Sequence, residues 1–222
     1  MLGIRTNLKS YNPTAPDAIL QALADISAYL FNNKDTDPLI KAALVHYQFE
    51  IVHPFERYNG IVGRMMIPMI LYDITSGAFP LICLSEYLYQ NKNEYFDLLH
   101  TTQYSGGYIR WIKFFVNAIG ETAKQSAELL MQYESIISED EYYLKENGKL
   151  PKSILAVYNY LKSFPITTIT VTERKLELSF NTVSKTFNLL KKHGIIEDYN
   201  NSVRNRVFRY VKLEKLISSK YD

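Results

Sequence analysis

The sequence predicts a mainly α protein, with an all-helical domain followed by a small α+β domain. Three observations carry that prediction. Apolar residues recur at helical spacing through most of the first 148 positions. No strand-like alternation of any length occurs before residue 165. After Leu150 short helical segments are followed by two alternating stretches around a turn. The expected division is 1–148 and 149–222, with Asn147-Gly148 as helix end and linker.

Ile19, Leu20, Leu23, Ile26 and Leu30 trace an amphipathic helix between Pro16 and Phe31. A second helix is expected from Pro38 to Val52, capped by Asp37, with His53-Pro54-Phe55 as the loop leaving it. The third, from about Asn59 to Thr75, is apolar nearly all round, which predicts a buried central helix ended by Ser76-Gly77. Further helix is expected at Ser85 to Tyr89, Asn91 to Thr101, Tyr108 to Ile119 and on to about Asn147.

Beyond Leu150 the pattern gives a helix from Pro151 to Phe164 and a β-prone stretch from Ile166 to Val171. Helices follow at about Thr172 to Leu178 and Asn181 to His193. The last two have helix-turn-helix spacing, with Ser179 or Asn181 as cap and Val183 and Leu189-Leu190 facing the core. Gly194 to Tyr199 and Arg206 to Tyr210 alternate around Asn200-Asn201-Ser202 and complete a winged helix-turn-helix.

Composition narrows the function classes. With 47% hydrophobic residues the chain can bury a sizeable core, and its longest apolar run, Met65 to Tyr72, is too short to span a bilayer. The N-terminus shows no signal peptide, and a single cysteine, Cys83, excludes an internal disulfide, so a cytoplasmic, reducing location is expected. Cys83 lies in the apolar run Pro80 to Leu84 and is expected in the core. Net charge is +2, but residues 1–150 carry 12 Lys or Arg against 17 Asp or Glu (−5), and residues 151–222 carry 13 against 6 (+7). The basic segment is the one that would meet a polyanion, and Lys185, Arg204 and Arg206 are the candidate nucleic-acid contacts. Packing or dimerisation is the alternative use of such a domain.

The stretch with most chemistry runs from His53 to Arg64: His-Pro-Phe-Glu-Arg-Tyr-Asn-Gly-Ile-Val-Gly-Arg. It sets an imidazole ahead of a helix start at Asn59-Gly60, where unpaired amides attract an anion, and Arg64 adds a fork-shaped cation one turn in. Asn59 is the expected N-cap. His53 could take a proton from a hydroxyl while the helix start holds phosphates, a division of labour suited to nucleotidyl transfer. His46, on the preceding helix, is read as a packed residue, and no metal-ligand spacing suggests zinc.

This stretch resembles the signature of the Fic (Fido) family: His-Pro-Phe, any residue, Asp or Glu, Gly-Asn-Gly-Arg, any residue, Gly-Arg. His53, Pro54, Phe55, Asn59, Gly60, Gly63 and Arg64 match without a gap. The resemblance covers about residues 3 to 130, including Pro38 to Glu50, Leu84 to Tyr87 and Trp111 to Phe115, and the C-terminal part resembles the winged helix appended to many bacterial Fic proteins.

The resemblance implies transfer of AMP from Mg-ATP to a Ser, Thr or Tyr hydroxyl of a target protein. It implies His53 as general base, with Asn59, Gly60, Gly63 and Arg64 at the nucleotide. ATP enters as substrate. Three specified positions depart: Arg57 stands at the acidic metal-ligand position, Tyr58 at a Gly and Ile61 at the first Arg, while Glu56 falls at the unrestricted one. Arg57 puts Mg²⁺ in doubt. It either neutralises phosphate in the metal's place or is a solvated charge in a site that has lost catalysis; Glu56 is a metal candidate only if the loop shifts by one residue. Loss of the first Arg lowers the expected activity, so an inactive nucleotide-sensing or DNA-binding regulator stays open beside the adenylyltransferase.

The family's target-registering flap would be reduced to Gly3–Tyr11. Its inhibitory helix, Ser or Thr, three residues, Glu, then Gly or Asn, has no full match: Ser135 to Glu139 is followed by Asp140, and Glu146-Asn147 is preceded by Tyr142. That element is expected to be absent or to lie in a further N-terminal region. Target protein, DNA at 151–222 and a homodimer are the partners left open, with no membrane.

Overall fold

The computed structural model describes residues 14–72, 80–146, 151–200 and 206–219. The flap (3–11), Ser76-Gly77, Asn147-Gly148, Asn201-Ser202 and Arg204 lie outside them. The chain divides into two compact units, Met1–Ser126 and Ala127–Asp222.

The first unit is helical throughout its described residues. A single 3-10 turn, Pro16–Ala18, leads into α1 (Ile19–Asn32), followed by α2 (Pro38–Val52), α3 (Asn59–Leu71), α4 (Leu84–Gln90) and α5 (Lys92–Ser105). The first part of α6 (Tyr108–Glu146) completes it. Asp37 caps α2 as expected: its carboxylate accepts from the amides of Leu39 (2.8 Å) and Ile40 (3.4 Å), satisfying two donors that a helix start leaves orphaned.

The central helix is α2, and the expectation that α3 would be buried all round is corrected. In α2 eight residues are buried, among them Ala42, Ala43, Val45, Tyr47, Phe49 and Val52, round more than half of the helix, and the remaining face carries exposed Gln48. In α3, Gly63, Ile67 and Leu71 face inward, but Ile61, Met65 and Met69 are 48%, 62% and 67% exposed. The reason is crowding: α2 is covered by α1, α3, α5 and α6, so α3 is an outer layer with one face inward. Small Ala42 and Ala43 let α6 approach, and the fully buried Trp111 donates its indole N–H to the Ala43 carbonyl at 2.8 Å. Cys83 is also corrected: it is exposed, because buried Pro80 and Leu84 anchor the run on either side and turn its side chain outward.

The second unit takes the end of α6 together with α7 (Lys152–Ser163), β1 (Ile166–Thr168), α8 (Ile169–Leu176), α9 (Phe180–Lys192), β2 (Ile196–Asp198), β3 (Val207–Tyr210) and α10 (Val211–Ser218). Its strands form an antiparallel sheet in the order β1-β3-β2, with Thr167 opposite Phe208 and Ile196 opposite Tyr210. Each predicted helix, and each strand of the alternating pair, overlaps an observed one, though α8 starts three residues before the expected Thr172. β1 stops at Thr168 because the Thr168 hydroxyl accepts from the Val171 amide and starts α8, which the β-branched run Ile166 to Val171 concealed. Ser179, not Asn181, caps α9. The short α10 was not expected.

Phe187, Leu190, Val183, Phe208 and Tyr210 form this unit's core, joined by Leu144 and flanked by Tyr133, Ile136 and Ile137 of α6. A polar network fixes the same helix: the Tyr210 hydroxyl donates to Asp140 at 2.6 Å, Lys212 donates to the other Asp140 oxygen at 2.7 Å, and the Tyr158 and Tyr210 hydroxyls lie 3.2 Å apart. Burial raises both phenols, Tyr158 to about 12, so both keep their protons. No helix among the described residues is long and apolar enough to cross a membrane.

Candidate functional site

The site is the α2–α3 junction of the first unit. α2 ends at His53, which closes the helix in the left-handed conformation (φ 50°, ψ 55°) with its amide on the Phe49 carbonyl. Five residues later Tyr58 is left-handed again (φ 70°, ψ 13°) and opens α3. A non-glycine residue there costs roughly 1–2 kcal/mol, so the Gly of the Fic pattern would suit position 58 better than Tyr. The loop between is exposed at His53, Phe55, Glu56, Arg57 and Tyr58.

What holds this loop in place is Asn59. It does not act as N-cap, as the sequence suggested. Its side chain is buried and reaches back to Phe55, accepting from the Phe55 amide at 2.9 Å and donating to the Phe55 carbonyl at 2.6 Å. Such two-point pairing makes a rigid five-residue link between His53's loop and the start of α3. The Tyr58 carbonyl takes the amides of both Ile61 (3.0 Å) and Val62 (3.1 Å), so an anion at this helix start would meet the amides of Asn59 and Gly60 and not those after Gly60.

The two motif glycines make room for side chains. A Cβ on Gly60 would stand 3.0 Å from a terminal nitrogen of Arg64 and 3.6 Å from Glu50 Oε1. A Cβ on Gly63 would stand 2.8 Å from Glu50 Oε1 and 3.1 Å from His46 Nδ1. Arg64 thus lies along α3 over Gly60, its Nε donating to the Ser85 hydroxyl of α4 at 2.9 Å.

Beneath it are two buried ionisable groups, His46, packed as the sequence suggested, and Glu50, which sequence reasoning missed. His46 is 1% exposed, stacks on Phe115, and has Nε2 3.1 Å from the Tyr95 hydroxyl and 3.9 Å from Glu50 Oε1. Burial lowers His46 to about 4, against a backbone hydrogen bond with Gly63, so it is neutral near pH 7. Burial raises Glu50 to about 7, against the pull of the Arg64 cation. The signal in the sequence was His46 and Glu50 one turn apart on a helix whose other buried residues are apolar.

Among the described residues no three His, Cys, Asp or Glu group around a point, and the family's acidic position holds the exposed guanidinium of Arg57. Exposed Glu56 is the loop's one carboxylate.

Residues 3–71 match the family model described as Fic/DOC. Over this stretch the chain is similar to the Fic/DOC family. The match includes α2, the loop and α3, which is the whole junction just described. Similar proteins include the protein adenylyltransferase fic-1 of Caenorhabditis briggsae, 36% identical over 93 residues, covering 40% of this chain and 17% of the relative. The same-named protein of Caenorhabditis elegans is 33% identical with the same coverage. A probable protein adenylyltransferase of Aquifex aeolicus is 27% identical over 133 residues, covering 60% of this chain and 35% of that one. The Fic segment therefore spans only a small part of these relatives. A crystal structure of a Fic family protein from Desulfovibrio desulfuricans superposes with TM-score 0.50 at 18% identity, over 93% of this chain and 59% of that one, which establishes the likeness of fold.

In the second unit Lys185 is exposed on α9, whereas Arg206 is committed to Asp198 through Nε (3.1 Å) and a terminal nitrogen (2.7 Å) and lies over the Phe208 ring. Lys191 shares Asp198, and Arg209 is paired with Glu197 and Glu214. The acidic end of α6 belongs to this unit: residues 127–150 carry 2 Lys or Arg against 6 Asp or Glu, which reduces the +7 of residues 151–222 to +3 for the unit.

Proposed function

We propose that the first unit binds ATP or a related nucleotide at the start of α3, with the amides of Asn59 and Gly60 and the Arg64 guanidinium on its phosphates. The observation that carries this is the placement of Arg64 over Gly60, beside the helix start that Asn59 locks to the His53 loop. His53 would take the proton of a target protein's Ser, Thr or Tyr hydroxyl. That oxygen bonds to the α-phosphorus while the bond to the β-phosphate breaks, AMP passes to the protein, and pyrophosphate leaves. The adenylyltransferase names of the similar proteins support a protein as acceptor. Arg57 in place of an acid and Ile61 in place of an arginine weaken this chemistry, since taking one charge-stabilising group out of a preorganised site slows the reaction by about 10²–10³.

The test is incubation of the chain with labelled ATP, with and without Mg²⁺, alone and with a cell lysate. Bound nucleotide with faint or absent covalent label is expected. Strong Mg²⁺-dependent labelling abolished in His53→Ala would show that Arg57 is a working variant and that the altered loop is not impaired.

A second reading, contact of the winged helix with DNA, is favoured by one face of α9 on which Asn181, Lys185, Asn188 and Lys192 are all exposed at helical spacing. Those residue types suit groove and phosphate contacts. Arg206 is a poorer candidate, because an arginine already held by Asp198 must break those bonds to reach a phosphate. If α9 contacts DNA, a gel-shift titration with the full chain shows retardation at low salt that falls steeply as salt rises and that Lys185→Ala reduces more than Arg206→Ala. No retardation at low salt would leave the unit as a protein-interaction module.

A further inference from the structure

The Arg64 side chain has to be held, because an unrestrained arginine carries rotamer entropy that binding a phosphate would have to offset. In this structure it is held from another helix. Ser85 is the second residue of α4, 21 positions along the chain, and its hydroxyl accepts from Arg64 Nε at 2.9 Å. Of the five guanidinium donors only the Nε–H is used in that bond, which leaves the four N–H groups of the terminal nitrogens. One terminal nitrogen stands over Gly60, at the helix start. Glu50 of α2 closes the same space from the inner side, and its carboxyl feels the Arg64 charge across Gly60.

We infer that Ser85 is a positioning residue, which with Glu50 aims the terminal nitrogens of Arg64 at the start of α3 and so sets the affinity for the nucleotide phosphates. This rests on the nucleotide-binding reading given above. Ser85 is exposed and its hydroxyl lies at the rim of the site, so its removal leaves the helical core untouched. It acts through Arg64 alone, so its effect has to disappear when Arg64 is gone.

The experiment is a double-mutant cycle read by calorimetry with ATP on the full chain: native, Ser85→Ala, Arg64→Ala and the double variant, with Ser85→Thr as the conservative replacement. Ser85→Ala is expected to weaken binding about 3- to 10-fold in the native background and less than about 1.5-fold when Arg64 is already Ala, and Ser85→Thr to keep most of the affinity. An equal loss in both backgrounds, or unchanged affinity in Ser85→Ala while Arg64→Ala is impaired, overturns the positioning role and leaves the phosphate site standing. Unchanged affinity in Arg64→Ala itself overturns the phosphate site, and the role of Ser85 with it.

Discussion

Replacing Arg57 by Asp and Ile61 by Arg in one chain is expected to raise transfer of AMP from Mg-ATP to protein by at least about tenfold over the native chain. Arg57 is exposed in the loop between His53 and α3, where a carboxylate would supply the hard oxygen ligand that Mg²⁺ requires and that the described residues do not assemble. Ile61 is 48% exposed in the first turn of α3, so an arginine there enters no packed core and can turn toward the helix start. Each restored group stabilises charge that develops on the phosphates, and one such group is commonly worth about 10²–10³ in rate, so tenfold is a lower expectation for two. Label incorporated per hour into the chain and into lysate proteins is the readout, with His53→Ala in the restored background as control. A restored chain no more active than the native one would mean that the loop geometry, including the left-handed Tyr58, is the obstacle, and not the missing acid and arginine.

Local signals were legible in the sequence because their physics is local. Asp37 ahead of Pro38 and Ser179 ahead of Phe180 cap α2 and α9, since a short polar side chain next to an apolar periodic run has few other uses. The antiparallel β2–β3 pair followed from alternation around a run of turn residues. Asn59 shows the limit: its residue type suits an N-cap, but whether its amide reaches forward to α3 or back to Phe55 depends on the loop path, and the loop goes back. The rank of the helices was likewise illegible. α2 and α3 are both rich in apolar residues, and only the full packing shows that α2 is the more deeply buried while Met65 and Met69 remain outside.

The surroundings of Arg64 were partly legible. Arg64 lies over Gly60, one turn back on the same helix, but the partners behind them come from helices far apart in sequence. His46 meets Tyr95 across 49 residues and Arg64 meets Ser85 across 21, pairings that no local pattern specifies. The C-terminal segment is basic by composition, yet several of its cations are matched by carboxylates that the fold brings beside them. Asp198 serves Arg206 and Lys191, Glu197 and Glu214 serve Arg209, and Asp140 serves Lys212.

A phosphate site at the start of α3 is tested most directly by the affinity for ATP of native chain and Arg64→Ala, measured by calorimetry at one salt concentration. Arg64 places a terminal nitrogen over Gly60 beside the amides of Asn59 and Gly60, and its removal takes charge-assisted bonds from a phosphate that no described metal-binding group replaces. Binding weaker by at least about tenfold, roughly 1.4 kcal/mol, in a variant that unfolds at the native temperature is the expected result. Equal affinity in the two proteins would contradict the site.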